Sequence, residues 1–141
     1  MSRIFWDTML FIYLLDDHPE FSTRTRELLE RAYRRGDSLY TSHLALGEII
    51  AGAEKSPRPL TAAEIVDTIR EMGFSFLPFD GGAVVPFSTL RSRQKLKVPN
   101  AIHVACAASA GIDLYLTGDT QLFKLDVPGI QFIADFNSTI F

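Results

Sequence analysis

The sequence has a single cysteine, Cys106, and no long uninterrupted apolar run among its 141 residues. One cysteine excludes an internal disulfide framework and a zinc site built from cysteines. No apolar segment approaches the roughly 20 residues that a membrane-spanning helix needs, and the first residues show no secretory signal. These absences favour a cytoplasmic protein. Cys106 itself lies among small apolar residues, which favours a buried thiol over a nucleophile.

The chain also lacks an excess of positive charge, because 14 Lys and Arg residues stand against 17 Asp and Glu, for a net charge of −3. A polyanion would therefore have to bind through local basic groups or through metal ions, not through bulk charge. The hydrophobic content of 47% and the mean hydropathy of +0.10 argue against disorder. The length predicts one domain spanning residues 1–141, large enough for a real core.

Short β-prone segments alternate with helical patterns along the chain. The segments that predict strands are Ile4–Trp6, Leu39–Thr41, Phe74–Phe79, Leu114–Thr117 and Gln131–Ile133. The intervals predict helices over Thr8–Leu15, Phe21–Arg35, His43–Ala53, Ala62 to about Met72, Asp80 to about Leu96, and Pro99–Ala110. This alternation predicts a single-domain α/β/α sandwich, with a mostly parallel, roughly five-stranded sheet and helices on both faces. The tail from Asn137 to Phe141 has no clear pattern.

Four polar residues lie where such a sheet gathers its ligands. Asp7 and Asp119 follow two predicted strands, while Glu48 and Asn100 lie on helices at the same edge of the sheet. In a parallel sheet these positions converge on one crevice. Carboxylates there suit Mg²⁺ or Mn²⁺, which would activate a water at a scissile phosphodiester. Taken singly, each residue also has an ordinary explanation, as a helix cap, a turn residue or an exposed charge.

The segments around these residues resemble PIN-domain ribonucleases, and among them the compact VapC-type toxins of toxin–antitoxin pairs. The matching segments occur in the family's order and are Phe5–Thr8, Leu46–Ile49, Pro99–Ala105 and Leu116–Asp119. The resemblance implies Mg²⁺- or Mn²⁺-dependent cleavage of RNA and a homodimer. It also implies an antitoxin partner that inserts a peptide into the active-site groove. An Arg or Lys on that peptide would relieve the repulsion among the groove's carboxylates.

The resemblance assigns roles to six residues of this chain. Catalytic and metal-binding positions fall on Asp7, Glu48, Asn100 and Asp119, and supporting positions fall on Thr8 and Thr117. Asn100 departs from the family, which has aspartate there. An amide keeps one oxygen ligand but loses the charge and cannot act as a base. Either the natural domain is attenuated or inactive, or the substitution was introduced to inactivate a toxic nuclease.

A basic run directly precedes Asn100, formed by Arg91, Arg93, Lys95 and Lys97. These side chains would line the groove where the RNA backbone enters, since backbone contacts supply most of the affinity for nucleic acid. Alternatively they are a solvated helix end, with cations near its C-terminus.

Two histidines are weaker candidates. His103 lies one helical turn after Asn100, so it either faces the crevice or is a hydrogen-bonded structural residue. The same choice applies to His43.

Two other functions remain open from the sequence. A degenerate PIN module would bind RNA or a partner without cutting, and Asn100 is consistent with that. A receiver-like signalling domain needs adjacent carboxylates after the first strand and a lysine after the fifth. Asp16 and Asp17 come a helix too late for that role, and although Asp80 follows the third strand, no lysine follows the last one.

Overall fold

The computed structural model describes residues 1–57 and 59–138. Strands and helices alternate as the sequence predicts. The strands are β1 (Arg3–Trp6), β2 (Ser38–Ser42), β3 (Phe74–Leu77), β4 (Ile112–Thr117) and β5 (Ile130–Asp135). The helices are α1 (Thr8–Leu15), α2 (Ser22–Arg35), α3 (His43–Ala53), α4 (Ala62–Glu71), α5 (Gly81–Ser92) and α6 (Val98–Ala110). No helix in these described ranges is long and apolar enough to cross a membrane.

The five strands form one sheet in the order β3-β2-β1-β4-β5, and every neighbouring pair is parallel. The predicted fold class, an α/β architecture with a parallel five-stranded sheet, is therefore confirmed. The receiver-like alternative is wrong, because receiver domains have the strand order 2-1-3-4-5. β1 occupies the centre, so the chain reverses its direction of winding between β1 and β4. That reversal is where open parallel sheets form their ligand crevice.

Side chains of β1 alternate between two apolar cores, one on each face of the sheet. Phe5 packs in a core with residues of α5 and α6, while Ile4 and Trp6 pack in a core with residues of α1 to α4. Burial on both faces explains why this strand has no alternating polar residues. The small residues of α6 are buried against the first core, as their pattern predicts, and Gly129 lies so close that an added Cβ would meet the Ala108 carbonyl oxygen at 2.3 Å.

Local capping signals fix several helix ends. Asp7 caps α1 and Ser42 caps α3, each accepting a backbone N–H bond on its side chain. Thr61 and Glu64 form the predicted capping box of α4. Gly36 ends α2 in the left-handed conformation, with φ of 69°.

Several element boundaries differ from the sequence prediction, among them the start of β4, which lies two residues early at Ile112. α5 ends at Ser92 and not near Leu96, because the Leu96 N–H turns back to the Leu90 carbonyl and Lys95 adopts a left-handed φ of 56°. β3 stops at Leu77, two residues early. β5 is longer than predicted, since it pairs with β4 as far as Asp135. The undetermined tail forms a turn at Asn137, and residues 139–141 lie outside the described residues.

Candidate active site

One crevice lies at the carboxyl ends of β1 and β4 and has a volume of about 410 Å³. It brings together all six residues that the resemblance assigned to the site, from both termini and from the middle of the chain. Its lining consists of Asp7, Thr8, Met9, Ile12, Tyr13, Glu48, Asn100, His103, Thr117, Gly118 and Asp119. The convergence expected from parallel topology is therefore present in the structure.

Asp7 both caps α1 and lines the crevice, so the helix-cap and crevice interpretations of this residue are both correct. Its Oδ1 accepts the Thr8 backbone N–H at 2.8 Å, and its Oδ2 accepts the Thr117 hydroxyl at 2.7 Å. The Asp7 backbone N–H continues the sheet by donating to the Leu116 carbonyl oxygen at 3.0 Å. The side chain is thus held in one orientation by bonds to both of its oxygens.

Thr117 connects the two aspartates. It is fully buried, and its hydroxyl donates to Asp7 while accepting the Asp119 backbone N–H at 3.1 Å. One buried hydroxyl therefore sets the position of both carboxylate-bearing residues relative to each other. The supporting position that the resemblance gave to Thr117 stays a prediction.

Asn100 is hydrogen-bonded directly to Asp119. Its Nδ2 donates to Asp119 Oδ2 at 3.0 Å, and Asp119 Oδ1 accepts the Gln121 backbone N–H at 2.9 Å. The orientation of the amide follows from chemistry, because an ionised carboxylate can only accept. With the family's aspartate at position 100, the same contact would place two like charges side by side.

Glu48 reaches the crevice from α3 and is held by two donors. Its Oε1 accepts from His103 Nε2 at 2.7 Å and from the Thr8 hydroxyl at 2.8 Å. The bond from His103, with a smaller contribution from Thr8, lowers the pKa of Glu48, and partial burial works in the opposite direction. Glu48 is therefore an ionised crevice residue. The alternative of a solvated surface charge is wrong.

His103 combines the two roles between which the sequence left a choice. It is buried, with 2% of its surface exposed, and it lines the crevice while donating to Glu48. The sequence could show only that it lies one turn after Asn100. His43, in contrast, is packed against the ring of Phe76 and does not line the crevice.

The crevice is lined by the oxygen donors that a divalent cation needs. Carboxylates and an amide oxygen are the ligands that Mg²⁺ and Mn²⁺ prefer. In the described parts of the chain, however, no three His, Cys, Asp or Glu side chains are arranged to hold one ion together. Asn100 supplies an N–H to Asp119 where a charged oxygen would complete the set. The donor chemistry fits a hard cation, and the set of charged ligands is incomplete.

The basic run lies outside the crevice lining. Arg91 donates through Nη1 to the Leu96 carbonyl oxygen at 2.8 Å, so it holds the turn that follows α5. Arg93, Lys95 and Lys97 are exposed. Lys95 shares a neighbouring pocket of about 460 Å³ with Lys124, which the sequence analysis did not single out. That pocket is also lined by Thr120 and Gln121, the two residues directly after Asp119.

The PIN domain family model matches residues 4–128 of this chain. A chain of VapBC2 from Rickettsia felis, bound to a DNA fragment from their promoter, has a similar fold with a TM-score of 0.74 at 15% identity, covering 94% of this chain and 98% of that one. DNA-bound VapBC from Salmonella typhimurium gives 0.71 at 23% identity, covering 96% and 99%. VapBC-5 from Mycobacterium tuberculosis, described as a member of the VapBC family of toxin–antitoxin systems, gives 0.61 at 20% identity, covering 94% and 98%.

The TM-scores establish that the fold is shared with these structures, while a comparison with curated proteins found no match. The family match spans most of the sequence and includes all the crevice positions discussed above. The chain therefore belongs to the PIN domain family.

Proposed function

We propose that this protein is the toxin component of a VapBC-type toxin–antitoxin pair. Its crevice would be the site of a Mg²⁺- or Mn²⁺-dependent endoribonuclease, attenuated in this chain by Asn100. The observation that carries the proposal is the meeting of Asp7, Glu48, Asn100 and Asp119 in one crevice. Membership of the PIN family supports a nuclease, and the fold shared with VapBC structures supports the toxin assignment.

The crevice residues would have different roles in the proposed reaction. Asp7, Asp119 and Glu48 would contribute oxygen ligands to a cation together with an aspartate at position 100, since without that aspartate the set of charged ligands is incomplete. When bound, the cation would activate a water and neutralise charge at the scissile phosphate. Thr117 keeps the two aspartates in register, and Thr8 holds Glu48. A covalent route through cysteine is not supported, because burial raises the pKa of the Cys106 thiol to about 11 and keeps it protonated at neutral pH.

Asn100 accounts for the proposed attenuation. Its side-chain N–H donates a hydrogen bond to the Asp119 carboxylate, so that oxygen has a partner without a metal. Its amide also adds no charge to the set of possible metal ligands. An aspartate at this position would restore a fourth carboxylate, which would both attract the cation and orient the attacking water.

The RNA backbone would pass over the exposed lysines beside the crevice. Lys95 and Lys124 line a pocket that also includes Thr120, the residue after Asp119. An RNA strand cleaved at the crevice could therefore extend across these lysines. Lys97 lies between this pocket and Asn100 along the chain. The net negative charge of the protein makes such local contacts necessary for binding a polyanion.

The test is cleavage of single-stranded RNA by the Asn100→Asp variant. Attack by water predicts products with a 5′-phosphate and a 3′-hydroxyl, and EDTA should abolish their formation. The control variant adds Glu48→Gln to Asn100→Asp, which should remove cleavage while the protein still folds. Cyclic phosphate ends that persist in EDTA would refute the metal-dependent mechanism.

A second candidate function is a PIN module that binds RNA or a partner without cutting it. The hydrogen bond between Asn100 and Asp119 favours this alternative for the chain as it stands. If the Asn100→Asp variant also leaves RNA intact but binds it, the non-cutting module replaces the nuclease.

The partner would be a small antitoxin whose peptide places an Arg or Lys beside Asp7, Glu48 and Asp119. A basic side chain there would form charge-assisted hydrogen bonds with the crevice carboxylates in the absence of metal. Co-expression with the neighbouring reading frame, followed by purification, tests for such a partner, and sedimentation of the protein alone tests the proposed homodimer. We also propose that both proteins act in the cytoplasm.

A further inference from the structure

Behind Glu48, a chain of buried hydrogen bonds runs through His103 to Ser42. Ser42 is fully buried, and His103 is nearly so. The Ser42 hydroxyl lies 2.7 Å from His103 Nδ1, and His103 Nε2 lies 2.7 Å from Glu48 Oε1. These three side chains come from β2, α3 and α6, so the chain of bonds crosses from one helix to another.

The role of Ser42 as the cap of α3 limits the hydrogen bonds that its hydroxyl can make with His103. Ser42 Oγ already accepts the Ala45 backbone N–H at 2.9 Å, and the hydroxyl has one proton to donate. The only acceptor shown for that proton in the described part of the chain is His103 Nδ1. Nε2 carries a proton, because the ionised Glu48 carboxylate can only accept, and the Ser42 hydroxyl is placed to donate to Nδ1.

The bonds to Glu48 leave one of its oxygens unused. Oε1 accepts from both His103 and Thr8, while no hydrogen bond to Oε2 is present among the described residues. Two donors hold Oε1 in place. Because the side chain is 37% exposed and lines the crevice, Oε2 is the oxygen left for a crevice ligand.

We propose that His103 is a positioning residue, held as the Nε2–H tautomer by Ser42, that presents Glu48 Oε2 to a divalent cation in the crevice. The proposal rests on the proposed function for the identity of that ligand. The order of the contacts from Ser42 through His103 to Glu48 stands on the geometry alone, and the tautomer is part of the proposal. Partners of metal-binding carboxylates commonly set metal affinity in this way.

The first experiment measures the tautomer in the unmodified, metal-free protein by long-range ¹H–¹⁵N NMR of its histidine rings. Comparison with the His103→Gln variant assigns the His103 signals. The expected result is a proton on Nε2 and none on Nδ1. A proton on Nδ1, or two ring protons at neutral pH, would overturn the proposal, and this result does not depend on metal binding or on nuclease activity.

The second experiment measures Mn²⁺ affinity by calorimetry in the Asn100→Asp background. His103→Leu removes the donor while filling the space, and it should weaken binding about tenfold, within the range for partners of metal ligands. His103→Gln keeps an N–H able to reach Glu48 and should weaken binding by no more than about threefold, on the same scale. His43→Leu, on α3 but outside the crevice, is the matched control and should leave affinity unchanged.

The outcomes separate this inference from the proposed function. Equal losses from His103→Leu and His103→Gln, or no loss from either, would overturn the positioning role. If the Asn100→Asp protein binds no Mn²⁺ at all, the cation fails as the ligand of Glu48, and the proposed function fails with it. If His103→Leu does not fold, the Mn²⁺ affinity of His103→Gln and the tautomer of the unmodified protein still test the positioning role, because both measurements use folded protein.

Discussion

Replacing Asn100 by aspartate should destabilise the protein without metal and allow Mg²⁺ to restore its stability. The change removes the 3.0 Å hydrogen bond from Asn100 Nδ2 to Asp119, and hydrogen bonds to charged groups contribute about 1.5–3 kcal/mol. It also places two carboxylates together. Unit charges 4 Å apart repel by about 4 kcal/mol at an effective dielectric constant of about 20, and solvent in the open crevice reduces this to roughly 1–2 kcal/mol.

Together these changes predict a loss of about 3 kcal/mol in the free energy of unfolding in EDTA. For a chain of 141 residues, with an entropy of unfolding of about 2.1 cal/mol/K per residue, this lowers Tm by about 10 °C. Mg²⁺ at about 100 times its Kd should return about 2.7 kcal/mol. Thermal unfolding followed by circular dichroism at pH 8, with EDTA or with Mg²⁺, measures both changes.

Asn100→Ala is the matched control, since it loses the hydrogen bond but gains no charge. It should destabilise the protein by a smaller amount that Mg²⁺ does not reverse. If Asn100→Asp melts at the unmodified Tm in EDTA, residue 100 and Asp119 do not form a charged pair. If Mg²⁺ raises Tm equally in all three proteins, the cation binds elsewhere and the ligand assignment is refuted.

Two further predictions concern buried groups near the first core. The Tyr115 hydroxyl is buried without a hydrogen-bond partner in the described residues, so Tyr115→Phe should raise the free energy of unfolding by about 1 kcal/mol in urea titrations; a loss of stability would show that the hydroxyl is satisfied. Burial raises the pKa of Cys106 from 9.0 to about 11. The unfolded thiol ionises first as pH rises above 9, so the folded protein should lose stability between pH 9 and 11. Replacing Cys106 by alanine should reduce that loss, and an unchanged pH dependence would contradict the burial argument.

Much of the fold follows from local patterns in the sequence. Ile4–Trp6 lacks polar alternation because both faces of β1 are covered, and the Thr61 capping box gives its helix a definite start. The meeting of Asp7 and Asp119 follows from a rule of topology, since Asp7 directly follows β1 and Asp119 comes two residues after the end of β4, and the two parallel strands are neighbours. The strand and the helix start depend on local signals, while the meeting of the aspartates could be predicted because the rule for parallel sheets replaces knowledge of the individual contacts.

Contacts between helices could not be predicted from the sequence patterns. The bond from His103 to Glu48 depends on how α6 packs beside α3, and the two residues are 55 positions apart. The early end of α5 depends on one arginine that bonds a carbonyl across a turn. In both cases the sequence is compatible with a side chain that faces solvent or with one that bonds another part of the protein. Only the packed structure shows which of the two occurs.

The central place of β1 in the sheet governs when the crevice can form during synthesis. Asp7 leaves the ribosome well before Thr117, the residue 110 positions later whose hydroxyl orients its side chain. Until β4 has been made, β1 lacks one of its two neighbouring strands, its edge is open, and Asp7 has no counterpart. A polypeptide released before β4 is complete therefore cannot form the site. Since a domain generally folds as a unit, synthesis of β4 and Asp119 controls when the site can be completed.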